Sequence, residues 1–131
     1  MSQVMRSKVA DPVGYLAGLG HLHDAVIVGA QFDSDEHRFS LEVDDLNSNL
    51  QGLPEYPGLL PATIVFDGVR NLVLRELEKL ELHGSIYRLT CSASETAHAQ
   101  EACDVDLKIW PSGAVEFSCR AVFVEIDASA H

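Results

Sequence analysis

Hydrophobic and polar positions alternate most regularly in the last third of the chain. Cys103, Val105, Leu107 and Ile109 alternate with Asp104, Asp106 and Lys108, and Val115, Phe117 and Cys119 alternate with Glu116, Ser118 and Arg120. Tyr87, Leu89 and Cys91 alternate in the same way with Arg88, Thr90 and Ser92. A period of two marks a strand with one buried face. The pattern therefore predicts extended passes over 86–93, 102–110 and 115–126, joined by a polar loop and a Pro-Ser-Gly turn. Connections centred near Ala97 and Ser112 set Cys91 roughly opposite Cys103, Asp106 near Ser118 and Asp104 near Arg120. Every apolar set then faces the same way, as an antiparallel sheet packed on one side requires. Beyond Ala121 the apolar set becomes Val122, Val124 and Ile126, which predicts a bulge or a change of sheet.

The earlier chain supplies further strands. Val26, Val28, Ala30 and Phe32 alternate with Ile27, Gly29 and Gln31, and Phe39, Leu41 and Val43 alternate with polar residues; the turn-rich tip at 33–37 makes the two runs a hairpin. Ala62 to Phe66 is a β-branched run ended by Asp67-Gly68, with 69–74 as its expected partner strand. Residues 75–82 fit a helical turn or a strand and are read as extended or irregular. Residues 1–10 read as a flexible arm. Asp11-Pro12 starts a short helix, an acid at the N-cap followed by proline at the first helical position, and Gly18 and Gly20 end it. Residues 44–61, with three prolines and two glycines, exclude a regular element, and a connection of that length in a small domain implies a job. The expected fold is mainly β (α+β by strict count): one antiparallel domain over 11–131, a curved sheet or sandwich of about seven strands with a short N-terminal helix.

Composition narrows the function classes. The 131 residues suit one domain. Twenty acidic against nine basic side chains give a formal net charge of −11, and the bases are scattered with no two adjacent, so nucleic acid is not an expected partner. No apolar run reaches the roughly 18 residues of a membrane span, so no membrane partner is expected. The polar N-terminus lacks a secretory apolar core, and three cysteines are an odd number for a disulfide framework. A cytoplasmic protein follows as the expectation. No dinucleotide fingerprint, phosphate loop or nucleophile motif occurs, and no cofactor is expected.

Leu22-His23-Asp24 opening a strand hairpin after a short helix, the corner Phe66-Asp67-Gly68-Val69, and the closing meander resemble a loose group of small bacterial immunity-type β domains. Many of these accompany secreted toxins, and many have no assigned activity. The resemblance implies a non-catalytic protein-binding module. The stretch Asn47 to Pro57 looks closer to the uncharacterised relatives of that group.

Two sets of residues carry candidate chemistry. Asp45, Asn47 and Asn49 copy the start of a calcium loop, but Leu50 stands in place of its glycine and Tyr56 in place of its glutamate. Asp44, Asp45, Asn47 and Asn49 are therefore read as turn residues, and with Tyr56 as an aromatic anchor they form the expected binding loop. Its expected partner is a protein drawn by the acidic surface, a basic toxin or a second copy of this chain. The alternative is a small metal-dependent enzyme using His21, His23, Asp24 and His37; the commoner role for His23 and Asp24 is hydrogen bonding to backbone at the helix-to-strand junction.

Overall fold

The computed structural model describes residues 4–77, 84–92 and 103–127. Among them are nine strands: β1 (Val4–Lys8), β2 (Ile27–Asp33), β3 (Arg38–Val43), β4 (Ala62–Asp67), β5 (Arg70–Arg75), β6 (Ser85–Ser92), β7 (Cys103–Trp110), β8 (Ala114–Cys119) and β9 (Ala121–Asp127). They form two antiparallel sheets, one ordered β1-β9-β4-β3-β2 and the other β5-β8-β7-β6. The expected mainly-β class holds. Its strand number rises because Val4–Lys8 is a strand and because the expected pass 115–126 divides at Arg120, where the chain changes sheet and Arg120 donates its backbone N–H to the Asp67 carbonyl.

The two sheets meet over a core whose centre is three phenylalanines. Phe39 and Phe66 on the five-stranded sheet stack at 6.0 Å between centroids, and Phe117 on the four-stranded sheet meets them edge-on at 5.4 and 5.0 Å. Offset and T-shaped geometries let the ring quadrupoles attract while filling space between the layers. Leu41, Val43, Ile64, Leu89, Leu107 and Val115 extend the same layer, all buried. The alternation read for β3, β7 and β8 is thus the inward face of a sandwich.

Several expectations change for identifiable reasons. Val26 and Val28 are exposed, because a bulge between Ile27 and Gly29 turns Ile27 inward and reverses the phase of the strand ahead of Ala30 and Phe32. A second bulge between Ile86 and Arg88 turns Tyr87 out of the face that Leu89 and Cys91 share. β5 does not pair with β4; it crosses to β8. The registers are displaced from those expected: Asp104 faces Ser118 and Asp106 faces Glu116, while Cys91 faces Val105. These shifts are even-numbered, so inward residues stay inward. Val4–Lys8, read as part of an arm, is an edge strand on β9. The connection near Ala97 and most of 75–82 lie outside the described residues.

The helix α1 (Pro12–Gly18) forms where expected, with the Asp11 carboxylate accepting from the Gly14 N–H at 3.2 Å. It packs against β6 and buries Leu16. A 3-10 turn, Gly20–Leu22, follows it and plugs Leu22 into the core. Residues 24–27 then pair with residues 84–86 through Asp24 N–H to Ile86 O, Ile86 N–H to Ala25 O and Ile27 N–H to Gly84 O. That short ladder closes the sandwich along one side.

Candidate functional site

The irregular stretch 44–61 is organised inward, around one carboxylate. Asp45 is 0% exposed. Its Oδ1 accepts the backbone N–H of Asn47 at 2.9 Å and of Leu60 at 3.0 Å; its Oδ2 accepts from the Gln51 side chain at 2.9 Å and from the Tyr56 hydroxyl at 2.6 Å. A buried carboxylate needs this number of donors, because a charge without partners in a core is too costly to keep. Burial pushes the Asp45 carboxyl up, and the four hydrogen bonds outweigh it, holding the group below its ordinary value. The same bond raises the Tyr56 phenol, with burial adding to it.

The neighbouring residues are held in the same way. Asp44 accepts the Val26 N–H at 2.8 Å, Asn47 donates to the Gly58 carbonyl at 3.0 Å, and the Ser48 hydroxyl donates to the His23 carbonyl at 3.1 Å. Asn49 lies against Gly20, whose φ is 63°, so closely that a Cβ on Gly20 would come within 2.7 Å of the Asn49 amide nitrogen. Asp45, Asn47 and Tyr56 therefore tie the loop to itself, while Asp44, Ser48 and Asn49 hold it against the body of the domain, and the Asp45 oxygens a calcium ion would need are already engaged by protein hydrogens.

His37 does not converge with His23 and Asp24, and His21 sits in the 3-10 turn Gly20–Leu22 at a positive φ of 56°. His37 opens onto a cleft at one end of the sandwich with Glu36, Arg38, Asp67 and Arg120, while His23 and Asp24 line a different one. Among the described residues, no group of three or more His, Cys, Asp or Glu side chains has metal-holding geometry. His23 instead bonds to backbone, as its commoner role predicts, though the partner is on β6: its Nδ1 lies 2.8 Å from the Tyr87 carbonyl. A carbonyl only accepts, so Nδ1 carries the proton. The other ring nitrogen lies 3.5 Å from the Asp24 carboxylate.

That contact belongs to an exposed aromatic rim. The His23 and Tyr87 rings meet edge-on at 5.7 Å. Tyr87 is 52% exposed and Trp110 is 63% exposed, and the two side chains line both of the adjoining clefts. One, of about 210 Å³, adds His23, Asp24 and Ser85. The other, of about 730 Å³, adds Arg75, Glu76, Lys108 and Pro111. The backbone fixes this placement. Ser85 pairs with Trp110 at the end of the β6–β7 ladder, and Gly84, at φ 108°, lets the chain pass so close that a Cβ there would lie 2.2 Å from the Trp110 carbonyl oxygen. The bulge at Tyr87 then turns its ring outward, toward the clefts that Trp110 also lines.

Sequence reasoning missed both exposed rings. Trp110 did carry a signal: the alternation that sends Ile109 inward places the protein's single tryptophan in the polar phase, with Lys108. Tyr87 carried none, because alternation with Leu89 assigns it to the core and only the bulge reverses that.

No family profile matches the chain, and no curated protein matches it. Among solved structures, an uncharacterized protein from Neisseria gonorrhoeae is similar at 8% identity and a TM-score of 0.47, with 91% of this chain and 96% of that one covered.

Proposed function

We propose that this chain is a non-catalytic protein-binding module that docks a basic protein partner on the Tyr87–Trp110 rim. The observation that carries the reading is the display of two large aromatic side chains, lining the same two clefts, on paired strand backbone. Tryptophan and tyrosine are the side chains most often found to dominate protein interfaces, and held this way they lose little conformational entropy on docking. Charged groups border both clefts, Arg75, Glu76 and Lys108 on the larger and Asp24 on the smaller, and form the polar border that such a centre uses for register. The net charge of −11 steers a basic partner toward the molecule. The role implied by the resemblance, immunity against a toxin, is the specific form of this proposal in which the basic partner is that toxin. The 44–61 loop contributes shape rather than anchoring, since Tyr56 is tied to Asp45.

The test is site-specific photo-cross-linking in the producing cell, with a photoreactive phenylalanine at position 87 and, as control, at the exposed Val73 of β5. The reading expects a discrete adduct with one basic protein from position 87 and none from position 73. Adducts equal at both positions, or none at either, would remove it, and an adduct of twice the chain mass would replace the basic partner with a second copy of this chain.

A further inference from the structure

Three buried thiols meet on the inward face of the four-stranded sheet. Cys103 Sγ lies 3.3 Å from Cys91 Sγ and 3.5 Å from Cys119 Sγ. The three cysteines come from adjacent strands β6, β7 and β8, and Cys103 sits on the middle one. All are free thiols. Their exposures differ: Cys91 retains 7%, Cys119 1% and Cys103 0%. We propose that this cluster is an oxidisable site, a thiol relay in which Cys91 receives the oxidant and Cys103–Cys119 keeps the disulfide.

Register decides which bridge is stable. Cys103 and Cys119 are direct cross-strand partners. Residues directly opposite in an antiparallel pair lie about 4.5 or 5.5 Å apart at Cα, inside the roughly 4.4–6.8 Å that a disulfide spans. Cys91 faces Val105 instead, so it is the diagonal neighbour of Cys103, a relation of about 7–8 Å. A bridge across that diagonal forms only with backbone strain, and strained disulfides exchange readily. Access favours the opposite end: Cys91 is the sulfur a small oxidant reaches first.

The chemistry balances with a small organic disulfide as oxidant. The Cys91 thiolate attacks one sulfur of that disulfide, forming a mixed disulfide and releasing one small thiol. The Cys103 thiolate then attacks the Cys91 sulfur, forming the Cys91–Cys103 bridge and releasing the second. Cys119, on the far side of Cys103, attacks the Cys103 sulfur, and Cys91 leaves as a thiolate. Two protein thiols are oxidised, one small disulfide is reduced to two thiols, and Cys91 is regenerated. Cys103, on the middle strand, lies within 3.5 Å of both other sulfurs, so Cys119 can attack it as Cys91 leaves.

The experiment treats the reduced, folded chain with excess hydroxyethyl disulfide, quenches with acid at intervals, alkylates free thiols and maps the peptides by mass spectrometry. The relay expects an early adduct on Cys91, a transient Cys91–Cys103 bridge, and a final Cys103–Cys119 bridge with Cys91 alkylated. Cys91→Ala should slow the final bridge at least tenfold, and Cys103→Ala should stop the reaction at the Cys91 adduct; circular dichroism confirms that each variant is folded. The wild-type time course stands on its own if a variant does not fold. A final bridge containing Cys91, first modification at Cys103 or Cys119, an undiminished rate in Cys91→Ala, or three thiols that react only in denaturant would each overturn the proposal.

Discussion

Replacing Asp45 with alanine should unfold the 44–61 stretch far more than removal of one side chain suggests. The carboxylate is the shared acceptor for four donors of unequal freedom. Gln51 is exposed and Tyr56 half-buried, so both can turn to water. The N–H groups of Asn47 and Leu60 are backbone and cannot. A buried donor without a partner costs about 1–3 kcal/mol, so the two together cost about 2–6 kcal/mol, a large share of the roughly 5–15 kcal/mol that holds a domain folded. Asp45→Asn is the control. Its oxygen can keep the two backbone donors while its amide donates to a flipped Gln51 and to the Tyr56 hydroxyl, which also accepts, so its loss should be clearly smaller. Urea unfolding at neutral pH, followed by circular dichroism, measures both. The folded pKa of Asp45 is depressed below 3.8, so its stabilisation is complete above that value and disappears as pH falls through the folded pKa. The gap between wild type and Asp45→Ala should therefore hold from neutral pH down to about 4 and narrow below it. An Asp45→Ala loss under about 1 kcal/mol, or equal losses in the two variants, would refute the hub.

Phe117→Ala removes the ring that joins the two sheets and should cost about 3–5 kcal/mol in the same assay, the range for large buried aromatics. Gly84→Ala forces a Cβ onto the Trp110 carbonyl at a positive φ; it should cost at least about 1–3 kcal/mol and change the emission of Trp110, the single tryptophan. Trp110→Ala, by contrast, removes a largely exposed side chain and should leave stability within about 0.5 kcal/mol of wild type.

The parts of the fold that were legible in sequence are those where a single physical rule acts alone. Phe39, Leu41 and Val43, or Val105, Leu107 and Ile109, alternate because one face is dry, and the structure keeps every one of them inside. The rule fails wherever one residue is inserted. The bulge after Ile27 exposes Val26 and Val28, and the bulge at Tyr87 converts a core assignment into an exposed ring. β1 was not legible for a different reason. All five of its residues are exposed, so no buried face imprints a period, and the strand exists through its pairing with β9. The Asp45 hub was hidden by distance in sequence, since its partners at 47, 51, 56 and 60 share no spacing that a motif would reveal. Its turn-like composition was visible, but the inward direction of the carboxylate was not.

The rim and the loop make opposite demands on a binding measurement, which decides between them. The partner recovered by cross-linking from position 87 is titrated calorimetrically into wild type, Trp110→Ala and Tyr56→Phe, each first shown to be folded. The account predicts that Trp110→Ala weakens binding by tenfold or more, about 1.4 kcal/mol or greater, while Tyr56→Phe leaves Kd unchanged. Unchanged affinity in Trp110→Ala, with binding lost in Tyr56→Phe, would contradict it and return the contact face to the loop.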